Sequence, residues 1–422
     1  MSRGLAPTRR VLPNGLTILA RETRTTPAVT IYAGFYAGTA HDPSDCSGLA
    51  HFVSKTIDRG TSARSADQIA EDLDNRGVSL SVAVNRHAMW LVSTCLAEDF
   101  EQTLALVGDI AMRPTFPGSE VETRRGEILT LLRQDEDNPA SVSMETLMRT
   151  LYGELHPYGR RMRGSIETVE RIAVADLQQF HRSRFAPQSM SLALVGDVET
   201  ERAVDATASV FGEWRAAAPP ALEFAAVAPA RERRVHVVPM MNKAQADIAY
   251  GFPTIRRSDP RYYAYWLMNN ILGQYALGGR LGDSIRERQG MAYYTFSSLD
   301  ASLAPGPLIV RAGVSAANVE RAVASIDAEL AQFAAEGPTE REITESKQYL
   351  IGSMPRTLET NVGIATFLQT AELFGLGLDY DMRLPDLISA VSRDDVQEAA
   401  RATLDPARAT VVVAGPYDGS LQ

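Results

Sequence analysis

The sequence predicts an α+β fold made of two duplicated halves, and three observations lead there. A helix, a loop and a strand recur at one offset. Asp176, Pro187 and Gly196 each stand 219 residues before Asp395, Pro406 and Gly415. A fixed offset shared by three elements is what a duplicated unit leaves behind. Runs rich in β-branched and aromatic residues, bounded by turn signals, are interspersed with helical patterns of apolar residues. Between the copies, residues 215–233 form an Ala/Pro-rich run of the composition of a semi-extended linker. The expected division is therefore 1–214, linker 215–233, and 234–422.

Composition agrees with more than one compact unit in a 422-residue chain. The net charge of −10 argues against a general nucleic-acid binder. Cys46 and Cys95 are too few for a disulfide scaffold or a cysteine zinc site and read as two reduced thiols. No apolar signal core follows Met1, and no run of apolar residues is long enough to span a membrane. The expected location is the cytoplasm, or the periplasm if an export signal has been removed.

In chain order, Leu16–Ala20 follows the turn Pro13-Asn14-Gly15 and reads as a strand, as does Ala28–Tyr36. Gly48–Arg59 has helical apolar spacing. Ser65 is placed to cap a helix through Leu73. Val78–Cys95 alternates like strands, and a helix resumes near Glu98 and runs to Met112. Pro117-Gly118-Ser119 opens a long helix through Asp137, with Pro139 just past its end. Pro338–Glu340 opens the matching helix of the second half.

The chemistry gathers at Gly48-Leu-Ala-His51-Phe-Val-Ser54-Lys55 and the later Gly60-Thr61. His51 and Lys55 are four apart and share a helix face. Two histidines at that spacing beside a glutamate, H-x-x-E-H, make a zinc-binding helix. The frame resembles that motif in the pitrilysin/insulinase family, G-x-A-H-F-L-E-H followed by G-T. Gly48, Ala50, His51, Phe52, Gly60 and Thr61 carry the resemblance. Ser54 stands where the family has its general-base Glu, and Lys55 where it has its second His. The family's third ligand is a Glu on the later long helix. Aligning Glu136-Asp137-Asn138-Pro139 with E-D-x-P puts Leu131 at that position.

A catalytic zinc needs three protein ligands and an open position for water. By this alignment only His51 remains, and Leu131 would put an apolar chain among the ligands. His51 is expected as a hydrogen-bonded residue of a packed interior, and Lys55 as a fixed cation in part of the vacated site. Glu127 and His87 are the candidates for substitute ligands. The family's substrate-pairing edge strand carries Asn-Ala, matched here by Ser81 and Val82.

The second half keeps more. Arg286 falls in the last turn of a helix marked by Leu277, Leu281 and Ile285. Gly290 stops that helix, and Tyr293 starts a strand. The geometry could bring both side-chain tips to one point. Leu281, Ile285, Arg286, Gly290, Ala292 and Tyr293 resemble the family's L-x-x-x-I-R-x-x-x-G-x-A-Y. The resemblance implies that Arg286 and Tyr293 bind substrate and stabilise the oxyanion. Both are donors whose bonds strengthen as charge grows on a carbonyl oxygen. Arg288 and the cluster Arg160-Arg161-Met162-Arg163 read as solvent-facing.

The resemblance covers the whole chain. It implies two α/β-roll halves, mostly antiparallel sheet packed by helices, joined by the linker into a clamshell. It further implies a chain inactive alone and belonging to a heterodimeric zinc metallopeptidase of the processing-peptidase type. A homologous partner with an intact H-x-x-E-H would bring the zinc, the substrate would be a peptide, and this chain would hold no metal. The rival readings are a catalytically silent scaffold, a peptide-binding protein, and a hydrolase with unconventional ligands. A homodimer is possible in isolation.

Overall fold

The computed structural model describes residues 4–225, 227, 230–275, 278–419 and 421. Two sheets form. The first has the order β1-β2-β6-β3-β5-β4, from strands β1 (Thr8–Val11), β2 (Thr17–Glu22), β3 (Ala28–Phe35), β4 (Ser79–Val84), β5 (Met89–Leu96) and β6 (Met190–Gly196). The second has the order β7-β11-β8-β10-β9, from β7 (Arg234–Pro239), β8 (Ala246–Pro253), β9 (Ala292–Leu299), β10 (Pro307–Val314) and β11 (Thr410–Gly415). Each sheet is antiparallel apart from one parallel pair, β2 with β6 and β7 with β11. Apart from β1, the two sheets have the same order of strands, so the duplication extends to topology.

The helices of the first half are α1 (Leu49–Thr56), α2 (Ala66–Asp74), α3 (Phe100–Met112), α4 (Gly118–Glu136), α5 (Pro139–Tyr152), α6 (Ile166–Arg171), α7 (Val174–Arg184) and α8 (Thr200–Phe211). Those of the second are α9 (Tyr262–Asn269), α10 (Gly279–Leu281), α11 (Val319–Glu336), α12 (Glu340–Thr357), α13 (Asn361–Leu373), α14 (Tyr380–Ser389) and α15 (Arg393–Thr403). Both bounds of α15 lie 219 residues after those of α7 (393 − 174 and 403 − 184). Ser65 caps α2 as predicted, in a capping box with Gln68. Pro139 lies just past the end of the long helix α4, as read, and also opens α5, with Asn138 accepting from the Ala140 amide.

The chain folds into two compact units that differ from the sequence division at the linker. One comprises the described residues up to Leu132, Arg161–Glu223 and Met354–Met382. The other comprises Arg133–Arg160, Phe224–Ser353 and the described residues from Arg383 on. The reason lies in the sheets. Strands β3, β6, β8 and β11 are buried almost throughout, so both faces of each sheet need cover.

In the first unit, one face packs on the main core, where Phe35 stacks on Phe185 at 4.5 Å. The other face takes α13, whose Ile364, Ala365 and Leu368 meet Leu19, Tyr32, Ala193 and Val195. Gln369 on α13 donates to the Tyr32 and Ser191 carbonyls at 2.7 and 3.0 Å and accepts from Ser191 Oγ at 2.5 Å. In the second unit, α5 does the same work. Its Leu147, Met148 and Leu151 pack with Ala249, Ile309 and Val412. Each sheet is thus covered by a helix from the other half of the sequence.

Candidate functional site

Helix α1 begins at Gly48, whose φ of 92° a side chain would strain. The Asp42 carboxylate accepts from the Gly48 and Ala50 amides, each at 2.8 Å, and so satisfies two free donors at the positive end of the helix. Leu49, Ala50, Phe52, Val53 and Ile57 are buried in the core of the first unit. That burial sets the rotation of α1 and leaves His51 and Lys55 on another face.

The structure corrects two expectations there. His51 is partly buried, but its Nε2 is a buried atom with no hydrogen-bond partner among the described residues, so it is no satisfied core imidazole. Lys55 is exposed rather than fixed in a vacated cavity. Ser54 is buried, and its Oγ donates to the His51 carbonyl at 2.7 Å, folded back on its own helix. Leu131 lies on α4, 39% exposed, and offers no donor. Glu127 pairs with Arg124 at 2.5 Å. His87 lies between β4 and β5, 3% exposed. Among the described residues, no group of three His, Cys, Asp or Glu side chains is gathered as a metal would require. The donors at the motif positions (one imidazole, one internally bonded hydroxyl, one ammonium, one alkyl chain) do not fit zinc.

Burial, with Lys55 and Arg163 adding to it, pushes the His51 imidazole down to about 4. Burial does the same to His41, with help from Arg184, and to His87, with help from Arg86 and His41. An unfolded histidine titrates near 6.5, so the unfolded chain binds more protons between that value and about 4. Stability held above pH ~6.5 is therefore lost progressively as the pH falls toward 4, by on the order of 3 kcal/mol per histidine at most. The melting temperature should drop between pH 7 and pH 5, and His51→Leu should drop less. A melting temperature flat across that range would mean that these imidazoles are solvated.

Ser81 and Val82 lie on β4, an edge strand of the first sheet, with Ser81 exposed. In the second unit, Leu281 and Ile285 are fully buried and anchor the helical segment that carries Arg286. Leu277 falls outside the described residues. After α10 the chain continues as wider π turns through Gly282–Arg288. Gly290, at φ 62°, ends it; the Met291 amide reaches back to the Ile285 carbonyl at 3.1 Å and the Gly290 amide to that of Arg286 at 3.0 Å. Arg286 thus sits in the last turn and pairs with Glu287 at 2.9 Å. Tyr293, second residue of β9, is 69% exposed. Arg288 is exposed and pairs with Asp283 at 3.0 Å.

A neighbouring cluster gave no sequence signal. Asp247 on β8 is 1% exposed. It accepts from Tyr294 Oη on β9 in a very short contact and from Arg311 Nη2 on β10 at 3.4 Å. Arg311 also donates to the Ala140 carbonyl at 3.0 Å. Burial and the Asp247 carboxylate hold the Tyr294 phenol well above its ordinary value, so it stays a donor. The ring of Tyr294 lies against Gly313, where a Cβ would come within 2.5 Å of it. The cluster ties β9, and with it the backbone of Tyr293, to the middle of the sheet. Only strand register brings these three residues together.

Comparison with known proteins places this geometry. Residues 17–164 match the family described as Insulinase (Peptidase family M16), and residues 171–350 match the Peptidase M16 inactive domain. The chain is 26% identical over 428 residues to an uncharacterized zinc protease of Mycobacterium leprae, covering 99% of this chain and 93% of that protein. It is 24% identical over 273 residues to a probable mitochondrial-processing peptidase subunit beta of Arabidopsis thaliana, covering 64% and 51%. Among solved structures, a peptidase M16 inactive domain from Pseudomonas fluorescens superposes with a TM-score of 0.92 at 24% identity, covering 99% of this chain and 100% of that one. A protease from Helicobacter pylori superposes with a TM-score of 0.88 at 15% identity, covering 97% and 99%. At these identities the structural likeness speaks for the fold. No helix among the described residues is long and apolar enough to cross a membrane.

Proposed function

The chain belongs to the insulinase family of peptidases, family M16, and from that premise we propose that it is the non-catalytic subunit of a heterodimeric zinc peptidase. One observation carries the reading. Ser54, Lys55 and Leu131 occupy three of the four positions of metal chemistry, while the second half keeps Arg286 and Tyr293 in the family spacing. A homologous partner with an intact H-x-x-E-H supplies the metal and the general base. Arg286 and Tyr293 donate to the substrate carbonyl as negative charge develops on its oxygen. The relatives' names, a zinc protease and a processing-peptidase subunit, support the reaction class.

One observation favours a second reading, a catalytically silent scaffold: Arg286 is already paired with Glu287. An ion pair this exposed is worth about 1 kcal/mol or less, so substrate can displace it. Peptide hydrolysis separates the readings. With zinc supplied, the purified chain alone should be inactive, and activity should appear on adding the homologue that copurifies with it. Activity of the chain alone would overturn the proposal, and inactivity of the mixture would favour the scaffold.

A further inference from the structure

We propose that a cleft of the first unit, between α7 and the loop that follows α3, binds a small planar aromatic carboxylate that also carries a hydrogen-bond donor. The inference is independent of the peptidase reading.

The cleft has a volume of about 460 Å³ and lies wholly within one unit. That size is within the range of small-molecule sites. Rings make up much of its wall. Phe116 and Phe185 are buried and Trp214 is half-buried. The His181 imidazole stands 6.1 Å from the Phe116 ring, edge to face, and 4.7 Å from that of Phe185. These rings offer π faces to a flat ligand.

The loop is held in place under strain. Phe116 has a φ of 51°, in the left-handed region that a bulky residue rarely adopts. Its neighbours are pinned, the Thr115 amide donating to the Gly60 carbonyl and the Ser62 amide to the Arg113 carbonyl, each at 3.0 Å. Strain of this kind persists where the surroundings over-determine it, and it gathers at ligand sites.

The polar groups select the ligand. Among the described residues that line the cleft, Arg182 is the single charged side chain and none is a carboxylate. Arg182 is exposed, donates from Nη2 to Gln179 Oε1 at 3.1 Å, and makes no ion pair among the described residues. Its remaining N–H groups are available to a carboxylate. His181 Nε2 donates to the Ala111 carbonyl at 2.8 Å. Burial, with the Arg182 charge adding to it, holds the imidazole below its ordinary value, so the ring is neutral at pH 7. A neutral imidazole that donates from Nε2 keeps Nδ1 as an acceptor. That Nδ1 has no partner among the described residues and is not sealed from solvent. A flat ring bearing an anion and an O–H or N–H donor answers all three features.

Three probes would be titrated into the full chain by calorimetry and tryptophan fluorescence. They are 4-hydroxyphenylacetate, its uncharged amide, and phenylacetate, which lacks the donor. The first should bind with a dissociation constant on the order of 1 mM or tighter, as a ligand of that size allows. The amide should bind about tenfold more weakly and phenylacetate about fivefold. Arg182→Gln should remove the difference between acid and amide, and Arg182→Lys should keep part of it. The chain has three tryptophans, and Trp214→Phe should abolish the fluorescence change while the calorimetric affinity stays within about twofold. Arg182 is exposed and Phe keeps an aromatic ring at position 214, so these variants should fold.

An absence of saturable binding by 4-hydroxyphenylacetate would overturn the site. So would equal affinity for the acid and its amide, or for the acid and phenylacetate. A charge preference that survives Arg182→Gln, or a fluorescence change that survives Trp214→Phe, would also overturn it.

Discussion

On the proposed subunit reading, Arg286→Ala is expected to lower turnover of the pair about a hundredfold or more while leaving assembly intact. Removing one donor from an oxyanion site costs about 10²–10³ in kcat, because that bond gains strength only as the carbonyl oxygen becomes charged. Little else should change. Arg286 sits in the last helical turn, held by the buried Ile285 beside it, and its own ion pair is with Glu287. Losing that pair costs about 1 kcal/mol or less. The fall should therefore appear in kcat far more than in KM or in the melting temperature. Arg286→Lys should recover part of the rate, since the charge stays but the planar fork is lost. Arg288→Ala is the control on the same segment, because Arg288 is exposed and faces Asp283 and Glu329. An unchanged kcat in Arg286→Ala would move this chain to the scaffold reading.

Asp247→Ala is expected to cause the largest loss of stability. The substitution removes the acceptor shared by Tyr294 and Arg311 and leaves a largely buried guanidinium without its counter-charge. Breaking a buried pair from one side costs about 3–5 kcal/mol. For a unit of this size that corresponds to a fall in melting temperature of roughly 10 °C. Asp247→Asn should cost less, because its amide oxygen still accepts from Tyr294. The cluster also positions β9, so turnover of the mixture should fall with Asp247→Ala even below its melting transition. A variant that melts with the parent would show that β9 is held by backbone pairing alone.

These two residues mark different limits of the sequence. Arg286 was legible because its evidence is local. An apolar stripe, a stop at Gly290 and a seven-residue spacing to Tyr293 are all short-range features, and the structure keeps each within a single helix–turn–strand passage. The same holds for the Ser65 cap, for the rotation of α1, and for the duplication, whose offset needs only matching of like elements.

Asp247 was not legible. It reads as one polar residue in a strand until β10 and β9 are laid beside it, and its partners lie 47 and 64 positions away. The exchange of α5 and α13 between the halves was hidden for the same reason: an amphipathic helix shows that it has an apolar face, not which sheet covers it. The sequence by itself therefore determined the duplicated α+β plan and the caps and stops, since periodicity and spacing act within a few residues, while only the family resemblance implied that Ser54, Lys55 and Leu131 stand at the metal positions. Only the tertiary structure decided which helix covers which sheet, which buried charges meet, and which imidazole is left unsatisfied, because those depend on contacts between residues far apart in the chain.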